Sequence, residues 1–330
     1  MLAVLLKRNP LPESDKGIDM SAPQKALVMG VREWVLLLVL SVLWGGSFFF
    51  FKVLVAELPP FTVVLGRVGL AALLLNVFLL LRRDPMPSYP RLWGSFIVMG
   101  ILNNVVPFTL IVWGETRISS GLASILNATT PIFTVLAAHV LTHNEKINWN
   151  KGIGVLFGLL GVAVLIGPSA IAGIGNGDVV GEIACLCAAL TYGFAGIYGR
   201  RFKGIPALKV ATGQITGSTI VLLPIAALVD RPWTLPMPSV HAFEAWVGIA
   251  VFSTALAYMI YFRILAVAGA TNLMLVTFLL PISALLLGVF FLDETITLQA
   301  IVGMALIGMG LAAIDGRLWA AIRRPDIARI

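Results

Sequence analysis

Ten apolar runs of about 20 residues, parted by short polar or turn-rich breaks, fill the chain between residues 33 and 316. The first five cover about 33–54, 60–81, 92–114, 121–141 and 152–168. The second five cover about 180–199, 207–229, 243–265, 270–292 and 298–316. A helix of that length crosses a hydrocarbon core about 30 Å thick. The breaks carry helix-ending residues: Pro59–Pro60, Arg82–Pro90, Arg117–Ser120, Asn144–Asn150, Ser169–Asp178, Arg200–Pro206, Asp230–Pro238, Ala266–Gly269 and Asp293–Thr297. Most are short, so consecutive helices are predicted to be antiparallel neighbours. The pattern predicts an all-α membrane protein of ten transmembrane helices.

The pattern also repeats. Pro131-Ile-Phe-Thr-Val-Leu, running to Glu145, is echoed by Pro281-Ile-Ser-Ala-Leu-Leu, running to Glu294. Beyond those glutamates Gly154 matches Gly303, Gly161 matches Gly310 and Ala163 matches Ala312. Trp44-Gly45 pairs with Tyr192-Gly193. Residues 33–168 and 180–316 are therefore read as two units of five helices. Five crossings are odd, so the second unit enters from the opposite side, which makes an inverted repeat with its solute site between the halves. Gly154, Gly158 and Gly161, with Gly303, Ala305, Gly308 and Gly310, form flat faces that join two helices of one chain or two chains. A monomer or weak dimer is expected, with no obligate protein partner.

Charge sets the orientation. Of the 23 Lys and Arg residues, only Lys52, Arg117 and Arg231 fall on one side of the ten crossings, and Arg67 lies within a span. The rest fall on the other side, which the positive-inside tendency makes cytoplasmic, both termini included. Residues 1–32 and 317–330 are read as cytoplasmic tails, the first disordered. Met1–Leu6 is too short for a signal-peptide core, and Met20 is an alternative start.

Composition supports the membrane reading. The chain is 59% hydrophobic and 12% charged, where a soluble domain carries about 25% charged residues. The net charge of +7 is spread between apolar runs and lacks the basic-aromatic clustering of a nucleic-acid surface. Cys185 and Cys187 fall on different helix faces and are read as small packing residues. No metal-ligand set and no phosphate-cradling loop is visible, so no cofactor is expected.

Polar groups at membrane depth mark candidate sites, because they cost free energy unless paired or facing water. Arg67, about seven residues inside span 2, either faces a cavity, where it attracts a substrate carboxylate or holds a gate, or is an outer-leaflet arginine that snorkels or pairs with a carbonyl. Asn103, Asn104 and Pro107 break span 3; Asn127, Thr130 and Pro131 break span 4; Thr277 and Pro281 break span 9. Interhelical hydrogen bonding is the alternative role for each. Trp44, Ser47, Tyr192, Tyr258 and Tyr261 suit a solute-lining wall, with Tyr198 a further aromatic candidate. Trp34, Trp93, Trp113 and Trp246 suit the interfacial belt, and Phe48–Phe51 suits lipid-facing and core bulk. His139 either titrates in a coupling role or hydrogen-bonds near the interface. No Asp or Glu occupies a mid-span position: Glu115, Glu182 and Glu244 lie near ends. That disfavours a cation exporter, which needs a buried acid.

Trp44-Gly45-Gly46-Ser47, Arg67 after Pro59-Pro60, Gly121-Leu122-Ala123 leading to Pro131, and Pro281 leading to Asp293-Glu294 give the chain its resemblance. With the glycine-rich spans 5 and 10, it resembles the EamA-type ten-helix members of the drug/metabolite transporter superfamily over about residues 33–316. Thr142-His143-Asn144-Glu145 departs by one extra residue from the shorter Gly-Glu ending of that pattern. The resemblance implies helices around a central cavity, alternating access and export of small metabolites across a bacterial inner membrane. Amino acid exporters of the YddG type look most similar, which implies an amino acid or related metabolite as solute and the bilayer as the other partner. Multidrug or organic-cation efflux is the alternative. An intramembrane enzyme is a weaker one, because His139 has no second His or acid one turn away.

Overall fold

The computed structural model describes residues 30–142, 147–166, 177–273 and 275–315. Residues 1–29 and 316–330, His143–Lys146 and most of the Ser169–Asp178 break lie outside the described residues, and the end of the first tail, from Val31, is helical. Among those described, no strand occurs. The first half holds α1 (Val31–Val55), α2 (Pro60–Leu81), α3 (Pro90–Glu115), α4 (Ser120–Leu141) and α5 (Trp149–Ile166). The second holds α6 (Gly177–Tyr198), α7 (Ala207–Val229), α8 (Val240–Leu265), α9 (Val276–Leu292) and α10 (Leu298–Asp315). Eight apolar helices are long enough to span, and the shorter apolar α5 and α9 complete the ten. At 17 residues, α9 is about 26 Å long, just enough for a hydrocarbon core.

Local chemistry fixes several ends. Proline stands in the first turn of α2 and of α3, where its missing N–H would be unpaired anyway. Ser119 and Ser239 cap α4 and α8 through their side chains, accepting from Leu122 N–H and Ala242 N–H. Lys52 at the end of α1 donates to the free Glu115 and Ile118 carbonyls at 2.7 and 2.8 Å.

The halves pack by exchange. α1 lies on α8 and α9, and its counterpart α6 lies on α3 and α4. α2 lies on α8, and its counterpart α7 lies on α3; α2 meets α7, and α5 meets α10. The last pair gives the direction of the repeat. Gly154 faces the Gly310 carbonyl and Gly161 faces the Gly303 carbonyl, so α5 and α10 run antiparallel. Exchanging matched residues carries the first contact onto the second. A pseudo-twofold axis therefore relates inverted halves, and the glycine faces join two helices of one chain.

Three helices depart from regular α geometry, and they are not all the expected ones. α3 widens into a π-helical turn at Ile101–Val105, just before Pro107. α8 does the same at Val251–Leu256, a break the sequence reading missed. α4 is broken between Asn127 and Thr130, where the Thr130 hydroxyl donates to the Asn127 carbonyl that Pro131 leaves free. Pro281 does not break α9, contrary to expectation. The helix runs through it, because one lost hydrogen bond is tolerated where Leu280, Pro281, Ser283 and Ala284 are packed. The chain does turn at Gly269, inside the expected Ala266–Gly269 break, where a φ of 79° favours a residue without Cβ. Residues 270–273 are helical, the continuous helix of α9 then begins at Val276, and Thr277 sits in its first turn.

The α5–α10 contact predicts a contrast. A Cβ at Gly161 would press on the Gly303 carbonyl and Ile307, whereas one at Gly308 meets nothing within 4 Å. Gly161→Leu should destabilise the purified protein by about 1–3 kcal/mol, read as a lowered melting temperature. Gly308→Leu should melt with the parent.

Candidate functional site

The polar residues at the middle of the bundle are arranged by the same axis. Arg67 is the eighth residue of α2 and Gln214 the eighth of α7. Each reaches across to the π-helical turn of the opposite half. Arg67 Nε donates to Thr254 Oγ1 on α8 at 3.1 Å. Gln214 Oε1 accepts from Asn103 Nδ2 on α3 at 3.3 Å, and Gln214 Nε2 donates to the Tyr258 hydroxyl at 3.1 Å. One turn along α7, the Ser218 hydroxyl accepts from Asn104 Nδ2 at 3.0 Å. Glycines permit the approach: Gly66 lies under the Trp246 ring and its counterpart Gly213 under the Phe96 ring. The widened turns displace Asn103, Asn104, Ser253 and Thr254 from regular helix register, a geometry frequent at functional sites.

Arg67 is the focus. It is 5% exposed and does not run to a membrane face, so the snorkelling alternative falls. Its guanidinium carbon lies 3.9 Å from the Phe108 ring centre and 4.9 Å from that of Phe51. A desolvated cation over aromatic faces gains about 2 kcal/mol, against an insertion cost of roughly 2.5–3.5 kcal/mol. Tyr192 and Tyr258 lie within electrostatic reach. Among the described residues no carboxylate pairs with Arg67, and its terminal nitrogens donate to no protein acceptor.

Tyr258 continues into an aromatic cluster. Trp44 and Tyr261 have ring centres 5.6 Å apart, and Tyr258 is 6.4 Å from Tyr261 and stacks on Phe262 at 5.9 Å. Several buried polar atoms lack a protein partner: Ser47 Oγ, Asn104 Oδ1, Asn127 Oδ1 and Ser253 Oγ. Such atoms are rare in apolar surroundings and mark a polar interior.

Other candidates fall elsewhere. Tyr198 packs on Phe202 beneath the Arg201 guanidinium at the basic end of the bundle. His139 Nδ1 accepts from Ile147 N–H at 3.1 Å, tying the end of α4 to the start of α5. The Trp246 indole N–H donates to the Val63 carbonyl at 3.1 Å near the start of α2, within the α2–α8 contact. In the Phe48–Phe51 run, Phe48 and Phe51 supply core bulk, and Phe49 and Phe50 are half-buried. Of the two cysteines, Cys185 is buried and Cys187 exposed. Glu115 and Glu182, set aside for lying near helix ends, are 0% and 4% exposed.

The reading missed Gln214, Ser253, Thr254, Phe51 and Phe108. Ser253 and Thr254 had a signal: the register matching Pro131 with Pro281 also carries Asn103-Asn104 onto Ser253-Thr254. Two described cavities lie apart from Arg67. One, of about 320 Å³, opens at the end opposite the basic loops beside Arg117, Glu182 and Glu294. The other, about 280 Å³, is an apolar groove between α1, α8 and α9, bordered by Phe49, Phe252 and Phe291. No group of three His, Cys, Asp or Glu among the described residues could hold a metal.

The model of the EamA-like transporter family matches residues 32–167 and 179–314. The transporter YoaV of Bacillus subtilis, described as uncharacterized, is 26% identical over 284 residues, covering 84% of this chain and 95% of that protein. The inner membrane transporter YedA of Escherichia coli, also described as uncharacterized, is 27% identical over 265 residues, covering 79% and 83%. An experimentally solved chain superposes with a TM-score of 0.63 at 18% identity, over 90% of this chain and all of that one, and so shares the fold.

The crossed contacts are testable by a double-mutant cycle. Asn104→Ala and Ser218→Ala should couple by about 0.6–1.7 kcal/mol in unfolding free energy. Simple additivity would show that this bond holds nothing together.

Proposed function

We infer that this chain, which belongs to the EamA-like transporter family, is a secondary transporter exporting small carboxylate-bearing metabolites, amino acids foremost. It works by alternating access between its inverted halves. One observation carries the solute class: the Arg67 guanidinium is buried against two phenyl rings, and among the described residues no acid pairs with it. A substrate carboxylate supplies that balance, and the planar guanidinium offers it two parallel donors. Tyr192, Tyr258, Tyr261 and Trp44 line the apolar side of the site, while Asn103, Asn127 and the Ser47 and Ser253 hydroxyls meet the polar remainder. The same charge repels organic cations, so efflux of cationic drugs fits the site poorly.

The basic end, with Arg82, Arg83, Arg200, Arg201 and Lys203, faces the cytoplasm. A cytoplasmic membrane location accords with the description of YedA as an inner membrane protein. Within the wider superfamily, the amino acid exporters of the YddG type are the group such a protein would join.

Counterflow in proteoliposomes with a panel of labelled amino acids, with and without a pH gradient, tests the reading. At least one zwitterionic amino acid should exchange. Arg67→Gln should raise half-saturation roughly tenfold to hundredfold, the value of a charge-assisted hydrogen bond of about 1.5–3 kcal/mol. Robust flux of an organic cation with none of any amino acid would reverse the assignment.

A further inference from the structure

Three carboxylates at the end opposite the basic loops do the same thing. Each stands just beyond the last turn of one helix and caps the N-terminus of a helix from the other half. Asp230, after α7, accepts from the Thr62 N–H and hydroxyl at the start of α2, at 2.7 and 2.9 Å. Glu57, after α1, accepts from the Ser239 N–H at 2.7 Å and hydroxyl at 2.5 Å at the cap of α8. Glu294, after α9, accepts from the Ser120 and Gly121 N–H groups at the start of α4, at 2.7 and 3.0 Å. An anion there satisfies unpaired amides and meets the positive end of the helix dipole. The bonds from Ser239 hold the Glu57 carboxyl below the usual carboxylate range, so it is ionised in this contact.

The pseudo-twofold axis provides an internal control, because it predicts an equivalent set at the basic end. There the position matching Asp230 is Arg83, and the neighbouring Asp84 is 57% exposed and pairs with the Lys209 side chain at 2.5 Å instead of capping a helix. The counterpart of the Glu57 position falls in the 199–206 loop, which carries Arg200, Arg201 and Lys203 and no acid. Tyr89, at the cap of α3, makes no side-chain cap bond. The counterpart of Glu294, Glu145, lies outside the described residues. Among the described residues the cross-half caps belong to one end.

We propose that Asp230, Glu57 and Glu294 form the closed gate of this transporter at the end opposite its basic loops. Each cap joins a helix end of one half to a helix start of the other, so halves that rock apart at this end must break all three. The contacts are solvent-accessible or half-buried and are replaced by water when broken, which keeps the latch reversible. Neutralising the carboxylates removes the charge-assisted bonds and shifts the population toward a state open at this end.

Cys185 is a native reporter. It is fully buried against Gly114, the penultimate residue of α3, where α6 of one half crosses α3 of the other about two turns into α6. Full-length protein with Cys187→Ser, in lipid nanodiscs, would be treated with a water-soluble maleimide. Glu57→Gln, Asp230→Asn and Glu294→Gln should each speed labelling of Cys185 about fivefold, and together about a hundredfold, since labelling follows the open population. Asp84→Asn, at the other end, should leave the rate unchanged. Parent-like labelling in the triple variant would overturn the proposal, as would an equal rise in Asp84→Asn. Should the triple variant fail to fold, single variants carrying spin labels at positions 116 and 295 decide by pulsed distance measurement. A longer-distance population supports the gate, and an unchanged distribution refutes it. No solute enters either measurement, so the outcome stands apart from the amino acid assignment.

Discussion

In hydrocarbon a backbone amide or carbonyl has no water to fall back on, and the whole bundle is arranged around that constraint. Regular helix answers it for most residues. Where helix geometry is given up, a side chain steps in: the Thr130 hydroxyl takes the carbonyl freed before Pro131. The Thr254 hydroxyl likewise takes the Ile249 carbonyl inside the π-helical turn of α8. Loop-side helix ends are closed by Lys52, Ser119, Ser239, Glu57, Asp230 and Glu294. The irregular segments include several buried positions: Asn104 in α3, Ser253 and Thr254 in α8, and Thr129 in α4.

The pseudo-twofold axis turns these local solutions into a site. Because α2 crosses α8 and α7 crosses α3, the eighth residue of each crossing helix is delivered to a π-helical turn of the other half. The two deliveries differ chemically. One side presents Gln214, which is satisfied by Asn103 and Tyr258; the other presents Arg67, which keeps terminal N–H groups for something else. A symmetric frame therefore carries one asymmetric charge, which is the arrangement a carrier needs to bind one end of a small solute. The ends of the bundle are asymmetric in the same way, with caps on one side and a surface ion pair on the other.

Close packing ties the halves. Gly154 and Gly161 let α5 and α10 approach backbone to backbone, and Gly45 does the same for α1 against Ser283 and Ala284 of α9. The Ser283 hydroxyl donates to the Ser41 carbonyl at 2.7 Å across that contact. Between lipid-exposed helices such small-residue contacts and hydrogen bonds replace the hydrophobic drive available in water.

Hydropathy length and the order of small motifs by themselves determined ten helices and two related units, because a span's apolar length is set by the bilayer and leaves a strong periodic signal. Arg67, Asn103 and Asn104 stood out for the same reason: polar groups are conspicuous in apolar runs. What lies beside them was not legible. Depth along a helix placed Glu115 and Glu182 near span ends, yet only lateral packing buries them. Proline suggested a break in α9, but the packing around Pro281 holds the helix, while α8 widens with no proline at all. Whether a buried arginine reaches a membrane face or lies between Phe51 and Phe108 depends on which helices cross it. That is a property of the assembled bundle, since residues far apart in the chain supply every group that touches the guanidinium.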